Sequence, residues 1–259
     1  MARFTASDGV GLAYDDHGSS DLKPIILLHG FASNRQEGWR RTGWEAAFLQ
    51  RRERVISLDT RGHGESDKPH VADFYGLERL TQDVAELMAH LDIARAHIIG
   101  FSFGARVGLQ LALSHPGQID HLVLIGVGAR LFDPSRASDA MANALLTDDV
   151  GAISPPLLKS FRLFADAQGE DRVALAASTR AAPHAFLPEM LEAITAPTLV
   201  VVGARDLLAG SAEGLAEAIP GAKCETLPGC DHFSSITSGL AKGKVFDFLD
   251  GWLGVDMPT

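Results

Sequence analysis

The feature that most constrains the fold is a serine flanked by glycines, set between a short apolar strand and a helix. Ile98 and Ile99 favour a buried strand, and the leucines after residue 108 continue as an apolar helical run. A chain that turns from strand to helix this sharply strains the backbone at Ser102, where neighbouring side chains would clash. Gly100 and Gly104 remove those clashes. The pattern therefore predicts a serine hydroxyl exposed at the carboxyl edge of a sheet.

Short apolar segments alternate with helical ones along most of the chain. Uninterrupted apolar strands are typical of a mostly parallel sheet covered by helices on both faces, so the predicted fold class is α/β. Functional residues of such sheets follow the carboxyl ends of the strands, as His29-Gly30-Phe31, Asp59 and Ser102 do here. The other predicted elements are a hairpin over 3–16, strands at 24–28, 55–58, 121–127, 198–202 and 222–227, and helices at 76–92, 212–218 and 245–253.

Residues 131–196 have a different pattern. They contain no strand-like run, and Ala/Leu-rich amphipathic segments at 157–165 and 172–181 lie between prolines. We interpret this region as several short helices inserted between two strands. The predicted organisation is a core formed by residues 1–130 and 197–259, interrupted by the insertion.

Composition excludes several classes of partner. The 259 residues carry a net charge of −10, with a pI near 5.4. Such an acidic chain is unsuited to binding a nucleic-acid backbone or an anionic membrane surface. No apolar run approaches the roughly 20 residues of a membrane-spanning helix. The oligomeric state is left open.

Two features bear on the compartment. The first twelve residues lack the apolar segment of a secretory signal. Cys224 and Cys230 are too few for a disulfide framework in a domain of this size. They could pair with each other, but a cytoplasmic chain with reduced thiols is the simpler expectation. No Cys/His spacing resembles a metal site.

Ser102 needs a base to act as a nucleophile, and that base needs a carboxylate to orient it. Among the histidines only His232 follows Asp206, and both residues come after predicted strands. The order Ser102, Asp206, His232 matches the order expected when serine stands on such a turn. Asp133 is the alternative acid. Asp231 is adjacent to the base in sequence, so its backbone would direct it away from the imidazole.

Attack on a carbonyl creates an oxyanion that two backbone N–H groups should stabilise. Phe103, directly after Ser102, supplies one candidate donor, and Phe31, after His29-Gly30, supplies the other. His29 is interpreted as shaping its turn rather than as a second base. Likewise the Arg61-Gly62-His63-Gly64 segment is interpreted as a packed turn.

These motifs resemble those of the α/β-hydrolase family, in particular its serine esterases and lactonases with a single His-Gly pair. The likeness covers nearly the whole chain and is carried by residues 29–31, 59–66, 100–104, 203–206 and 229–232. It implies an eight-stranded, mostly parallel sheet and a small helical lid at 131–196. It also implies a Ser-Asp-His triad that hydrolyses esters or related bonds without a cofactor.

Differences between this sequence and other branches of the family narrow the range of expected activities. Serine at position 102 argues against the epoxide hydrolases and haloalkane dehalogenases of the family, which have aspartate there. The absence of a His-Gly-Gly-Gly motif argues against the branch that resembles hormone-sensitive lipase. The short lid favours small substrates.

The favoured function is a carboxylesterase that acts on small acyl esters. The alternatives are a lactonase of the enol-lactonase kind, a hydrolase that cleaves carbon–carbon bonds of ring-fission products, and a non-catalytic ligand-binding scaffold. Arg130, Arg162 and Arg180 are candidates for binding an acidic substrate. Phe31, Phe101 and Phe103 are the predicted substrate contacts in an apolar pocket that further phenylalanines could extend, namely Phe132, Phe161, Phe164, Phe186 and Phe233.

Overall fold

The computed structural model describes residues 1–133, 138–181 and 184–253. Its centre is one eight-stranded sheet with the strand order β1-β2-β4-β3-β5-β6-β7-β8. The pairs β1–β2 and β2–β4 are antiparallel, and all other neighbouring strands are parallel, which confirms the predicted α/β class. The strands are Ala2–Thr5 (β1), Gly11–His17 (β2), Pro24–Leu28 (β3), Arg54–Leu58 (β4), Ala96–Phe101 (β5), Ile119–Ile125 (β6), Thr198–Gly203 (β7) and Lys223–Leu227 (β8).

Helices cover both faces of the sheet, as the apolar strands predicted. In β3, Ile26 and Leu28 pack on the side of α2, α3 and α8, whereas Ile25 and Leu27 pack on the side of α1 and α10. All four side chains are fully buried. The helices of the described ranges are Trp44–Gln50 (α1), Leu77–His90 (α2), Phe103–Ser114 (α3), Ser138–Leu146 (α4), Pro156–Gln168 (α5), Arg172–Thr179 (α6), Pro188–Leu191 (α7), Ala212–Ala216 (α8), His232–Thr237 (α9) and Gly239–Leu249 (α10).

Among the element boundaries that differ from the predictions, two lie next to glycines with positive φ. Strand β6 was predicted to reach residue 127 but ends at Ile125, because Gly126 has a φ of 71° and turns the chain away. The closing helix was predicted to include Trp252, which instead lies beyond α10 and is 64% exposed. Gly251, with a φ of 78°, separates Trp252 from the helix. The sequence analysis also missed α1 and α9.

The described part of the region between β6 and β7 consists of short helices joined by loops, with no strand. It contains α4 to α7 and two short 3-10 turns, and residues 134–137 and 182–183 of the predicted insertion lie outside the described ranges. Leu145 and Leu175 form a separate apolar cluster that includes Ala32, on the loop after β3. This cluster packs the helices against the carboxyl edge of the sheet. The division into core and lid stays a prediction.

Two further findings concern the sequence expectations. Cys224 and Cys230 are both free thiols. None of the helices in the described ranges has the length and apolar character that a membrane-spanning segment requires.

Acid is expected to destabilise the fold through a pair of histidines on β5 and β6 whose rings meet edge to face. His97 and His121 are cross-strand neighbours whose Nδ1 atoms lie 3.2 Å apart. Burial, together with the adjacent His121, lowers the pKa of His97 to about 4. Since the unfolded chain takes up the proton near pH 6.5 but the folded chain does not, stability present above pH 6.5 is lost as the pH falls toward 4. The expected loss is about 2 to 3 kcal/mol.

Urea unfolding at pH 7.0 and 4.5 tests this prediction. His97→Gln should flatten the pH dependence of the unfolding free energy, whereas His90→Gln, at an exposed histidine, should leave it as in the wild type. An unchanged pH dependence in His97→Gln would contradict the prediction.

Candidate active site

Ser102 occupies the turn between β5 and α3 with strained backbone angles. Its φ of 51° and ψ of −106° are rare for a residue with a side chain. Its amide donates to the carbonyl of Ile125 at 2.8 Å, which ties the turn to β6. A Cβ at Gly100 would lie 2.5 Å from the Ala105 backbone, and one at Gly104 would lie 2.1 Å from the Leu28 carbonyl oxygen. Both glycines are therefore required sterically at the positions that the sequence pattern indicated.

The loops after β7 and β8 are joined by backbone hydrogen bonds. The amide of Arg205 donates to the carbonyl of Cys230 at 2.8 Å. Gly203 permits this approach, since a Cβ there would lie 2.5 Å from the Cys230 carbonyl oxygen. The contact brings the two loops that carry Asp206 and His232 side by side.

Ser102, His232 and Asp206 form one hydrogen-bonded chain. His232 Nε2 lies 3.0 Å from Ser102 Oγ, and His232 Nδ1 lies 2.8 Å from Asp206 Oδ2. The Asp206 side chain is fully buried, and its Oδ1 accepts hydrogen bonds from the amides of Leu208 and Ala209, each at 2.9 Å. A carboxylate held in this way can orient an imidazole and stabilise the imidazolium form of such a ring.

The two other candidate aspartates lie elsewhere. Asp231 is the N-cap of α9, where its carboxylate accepts hydrogen bonds from the amide and the hydroxyl of Ser234 at 2.9 and 2.6 Å. Asp133 is exposed and makes no hydrogen bond to His232 in the described part of the chain. Only Asp206 contacts the imidazole among these three.

Phe31 and Phe103 are brought together because β3 and β5 are neighbouring strands. Their ring centroids are 6.3 Å apart. Neither backbone N–H donates to an acceptor within residues 1–133, 138–181 and 184–253. Both amides are thus available to a substrate oxygen beside Ser102, and their role as oxyanion donors stays a prediction.

His29 is enclosed by its own turn. It is fully buried, with Nδ1 2.8 Å from the Gly30 carbonyl oxygen and Nε2 3.1 Å from the donating amide of Thr60. Burial lowers its pKa, which keeps the ring neutral. His63 is equally buried and packs against the rings of Phe31 and Phe103 at 5.8 and 5.7 Å. These two histidines support the loop that carries Phe31.

A cavity of about 160 Å³ opens on one side of the Ser102–His232 pair. The side chains of Phe31 and Phe101 line it, but that of Phe103 does not. Its remaining apolar wall comes from Phe161, Phe164, Phe233 and Ile236. We name it the apolar cavity. Phe161 and Phe164 lie on α5, so a helix between β6 and β7 lines the cavity at the serine.

A second cavity, of about 340 Å³, is lined by the same pair. Ser102, His232 and Phe161 line both cavities, so the two meet at the serine. Arg106 and Arg130 line only the second cavity, which we name the arginine cavity. The sequence analysis missed Arg106. Its position four residues after Ser102 on one helix was the available signal, because residues four apart share a helix face.

The two other arginines considered as substrate ligands have structural partners. Arg162 is buried, pairs with Asp166 at 2.8 Å and donates to the carbonyls of Ala144, Leu145 and Thr147. These contacts close the end of α4. Arg180 donates to Asn143 at 3.2 Å. Neither arginine lines the two cavities at Ser102, so the structure removes both from the candidates.

A buried carboxylate holds the loop between α5 and α6 against the loops that follow β3 and β4. Glu170, between α5 and α6, accepts hydrogen bonds from the Gly64 amide and from Asn34 Nδ2, each at 2.9 Å. Burial raises the pKa of Glu170. This contact fixes α5, and with it Phe161, over the two cavities.

Comparisons with known proteins agree with this architecture. A hydrolase from Pseudomonas aeruginosa is 31% identical, with a TM-score of 0.79 over 96% of this chain and 97% of that one. The enol-lactonase from Burkholderia xenovorans LB400 is 29% identical, with a TM-score of 0.74 over 96% of this chain and all of that one. A putative 2-succinyl-6-hydroxy-2,4-cyclohexadiene-1-carboxylate synthase of Bacillus subtilis is 33% identical, but the match spans only 47% of this chain and 42% of that protein.

The family assignment follows from a model match over most of the chain. Residues 23–183 match the α/β-hydrolase fold family, a range that extends from β3 through the serine turn to the helices after β6. The match thus includes Ser102 and its flanking glycines. The chain belongs to the α/β-hydrolase family.

Proposed function

We propose that this protein is a serine hydrolase that cleaves carboxylic esters of small acyl groups through an acyl-enzyme. The observation that carries the proposal is the hydrogen-bonded chain from Ser102 Oγ through His232 to Asp206, with contacts of 3.0 and 2.8 Å. Serine, imidazole and carboxylate in this order are the requirements for nucleophilic acyl transfer.

The reaction proceeds in two halves. Ser102 Oγ attacks the ester carbonyl while His232 Nε2 accepts its proton, and the N–H groups of Phe31 and Phe103 stabilise the oxyanion. Collapse of the tetrahedral intermediate breaks the carbon–oxygen bond, and His232 gives the proton to the leaving alcohol. Water, deprotonated by His232, then attacks the acyl-enzyme. Release of the carboxylic acid returns the proton to Ser102.

Cavity size supports small substrates. The apolar cavity, of about 160 Å³, is closed by the aromatic side chains of α5. A short acyl chain fits such a space, whereas a long one would have to displace Phe161 or Phe164. Lactones are the second candidate, since an enol-lactonase is 29% identical over nearly the whole chain. The same triad would open a cyclic ester.

Hydrolysis of p-nitrophenyl esters from acetate to decanoate tests the proposal. We expect turnover that peaks at short chains and is lost in Ser102→Ala, because no other nucleophile adjoins His232 among the described residues. Ser114→Ala, an exposed serine at the end of the same helix, is the matched control and should keep wild-type turnover. Labelling with a fluorophosphonate should occur in the wild type and Ser114→Ala but not in Ser102→Ala.

Other outcomes would redirect the assignment. No turnover of any ester, with Ser102 still labelled, would contradict the esterase and favour a lactone or carbon–carbon substrate. In that case, turnover of lactones would distinguish a lactonase from a carbon–carbon hydrolase. An unreactive Ser102 would contradict a serine hydrolase and favour a binding scaffold.

A further inference from the structure

The arginine cavity has an unusual charge for this protein. The chain as a whole carries a net charge of −10. The arginine cavity is nevertheless lined by two arginines, and no Asp or Glu is among its lining residues in the described ranges. A cationic recess beside the nucleophile of an acidic protein indicates recognition of an anionic group.

Arg106, which is partly buried, differs from the fully buried arginines of the described chain. Arg35, Arg61 and Arg162 each pair with at least one carboxylate. Arg106 pairs with none within residues 1–133, 138–181 and 184–253. Removing even part of a charged group from water is costly unless a counter-ion is present. The exception therefore points to a counter-ion that the protein itself does not supply.

The surroundings of Arg106 hold its side chain in place and leave most of its N–H donors without an acceptor in the described chain. The Nη2 atom of Arg106 donates to the carbonyl of His184 at 3.2 Å. The guanidinium lies 5.6 Å from the centroid of the fully buried Phe186 ring. The other N–H groups have no acceptor in the part of the chain that is described. Burial alone lowers the pKa of Arg106, which reflects the missing anion, although a guanidinium stays charged at any physiological pH.

Arg106 lies close to the proposed nucleophile in the sequence and lines the same cavity. It lies one helical turn after Ser102 on α3 and shares the arginine cavity with Ser102 and His232. Arg130, exposed on the 3-10 turn Ala129–Phe132, lines the same cavity and makes no ion pair in the described structure. An anionic group bound here would lie only a few bonds from the carbonyl that Ser102 attacks.

We infer that the arginine cavity binds a carboxylate carried by the substrate, with Arg106 as its principal ligand and Arg130 as a second. The inference rests on the proposed hydrolase function and narrows its substrate class. The substrates are short esters or lactones that bear a free carboxylate, such as half-esters of dicarboxylic acids. The apolar cavity takes the other, uncharged part of the molecule. A planar guanidinium matches a carboxylate through paired N–H donors, which gives the site its selectivity.

Matched pairs of charged and neutral esters test the inference. On the acyl side we compare mono(4-nitrophenyl) glutarate with methyl 4-nitrophenyl glutarate, and on the alcohol side 4-acetoxybenzoate with its methyl ester. The quantity measured is the ratio of kcat/KM for the charged ester to that for its neutral partner. We expect the wild type to prefer the charged member of at least one pair. Arg106→Gln should lower that ratio by about 10- to 100-fold, mainly through KM.

Two further variants sharpen the test. Arg106→Lys keeps the charge and should retain part of the preference. Arg95→Gln removes an exposed arginine that pairs with Asp120 near the opposite edge of the sheet, and it should leave the ratio at the wild-type value. A wild type with no preference in either pair, or a ratio unchanged in Arg106→Gln, would overturn the inference.

A binding measurement separates this inference from the proposed function. Calorimetric titration of glutarate into Ser102→Ala reports on the site without turnover, and dimethyl glutarate is the neutral control. Glutarate binding that is weakened by adding Arg106→Gln supports the site even if no ester is hydrolysed. Absence of glutarate binding, in a protein that hydrolyses neutral esters through Ser102, overturns the site and leaves the hydrolase intact.

Discussion

Asp206→Asn is expected to lower kcat for short p-nitrophenyl esters by about 10⁴-fold. The asparagine oxygen can still accept the amides of Leu208 and Ala209, which bond Asp206 Oδ1 at 2.9 Å. Its NH₂ group would then face His232 Nδ1 and favour the tautomer that carries the proton on Nε2. That tautomer cannot accept the Ser102 proton. The measurement is single-substrate kinetics at pH 8, with the fold checked by circular dichroism.

Asp133→Asn is the matched control for this prediction. The same substitution is made at the other aspartate that the sequence offered as the triad acid, and that residue is exposed. We expect kcat within about twofold of the wild type, as for a surface change away from the site. A large loss in Asp133→Asn with little effect in Asp206→Asn would reverse the assignment of the acid.

Gly104→Ala is expected to destabilise the protein by about 4 kcal/mol or more. The added Cβ would lie 2.1 Å from the carbonyl oxygen of Leu28, 2.4 Å from its carbon and 2.7 Å from the His29 carbonyl oxygen. All three atoms belong to the backbone of β3 or its loop, so no side-chain rotation relieves the clash. Helix α3 must move away from the sheet, and Ser102 moves with it. Urea unfolding and hydrolysis of p-nitrophenyl butyrate measure the two effects.

Gly108→Ala, on the same helix, provides the comparison. Its Cβ would lie 3.1 Å from Ile98 Cγ2 and 3.5 Å from Leu122 Cδ1, which are the ends of side chains that can adjust. Both substitutions gain about 1 kcal/mol of helix propensity. We therefore expect Gly108→Ala to unfold within about 1 kcal/mol of the wild type. Equal stability of the two variants would show that the close approach of Gly104 to β3 is not a structural requirement.

The sheet and the local geometry of the serine turn were predictable from sequence because they depend on short-range chemistry. Apolar runs such as 24–28 and 198–202 mark strands buried on both faces, and the two glycines around Ser102 mark a close approach of helix and strand. The ends of β6 and α10 were predicted less well. Gly126 and Gly251 end those elements with positive φ values that a glycine permits but does not require.

Chain order alone indicated Ser102, Asp206 and His232, since loops at the carboxyl edge of a parallel sheet converge. Three features of the site could be assigned only from the tertiary structure. Distances alone show that Asp206, not Asp133, contacts the imidazole. The packing of α5 places Phe161 in the lining of both cavities at Ser102. The partners of each arginine distinguish Arg162, which closes a helix, from Arg106, which has no carboxylate within the described ranges. The sequence around a residue specifies which helix, strand or loop that residue belongs to. The side chains that contact it come from distant segments, so its contacts depend on how the helices and strands pack.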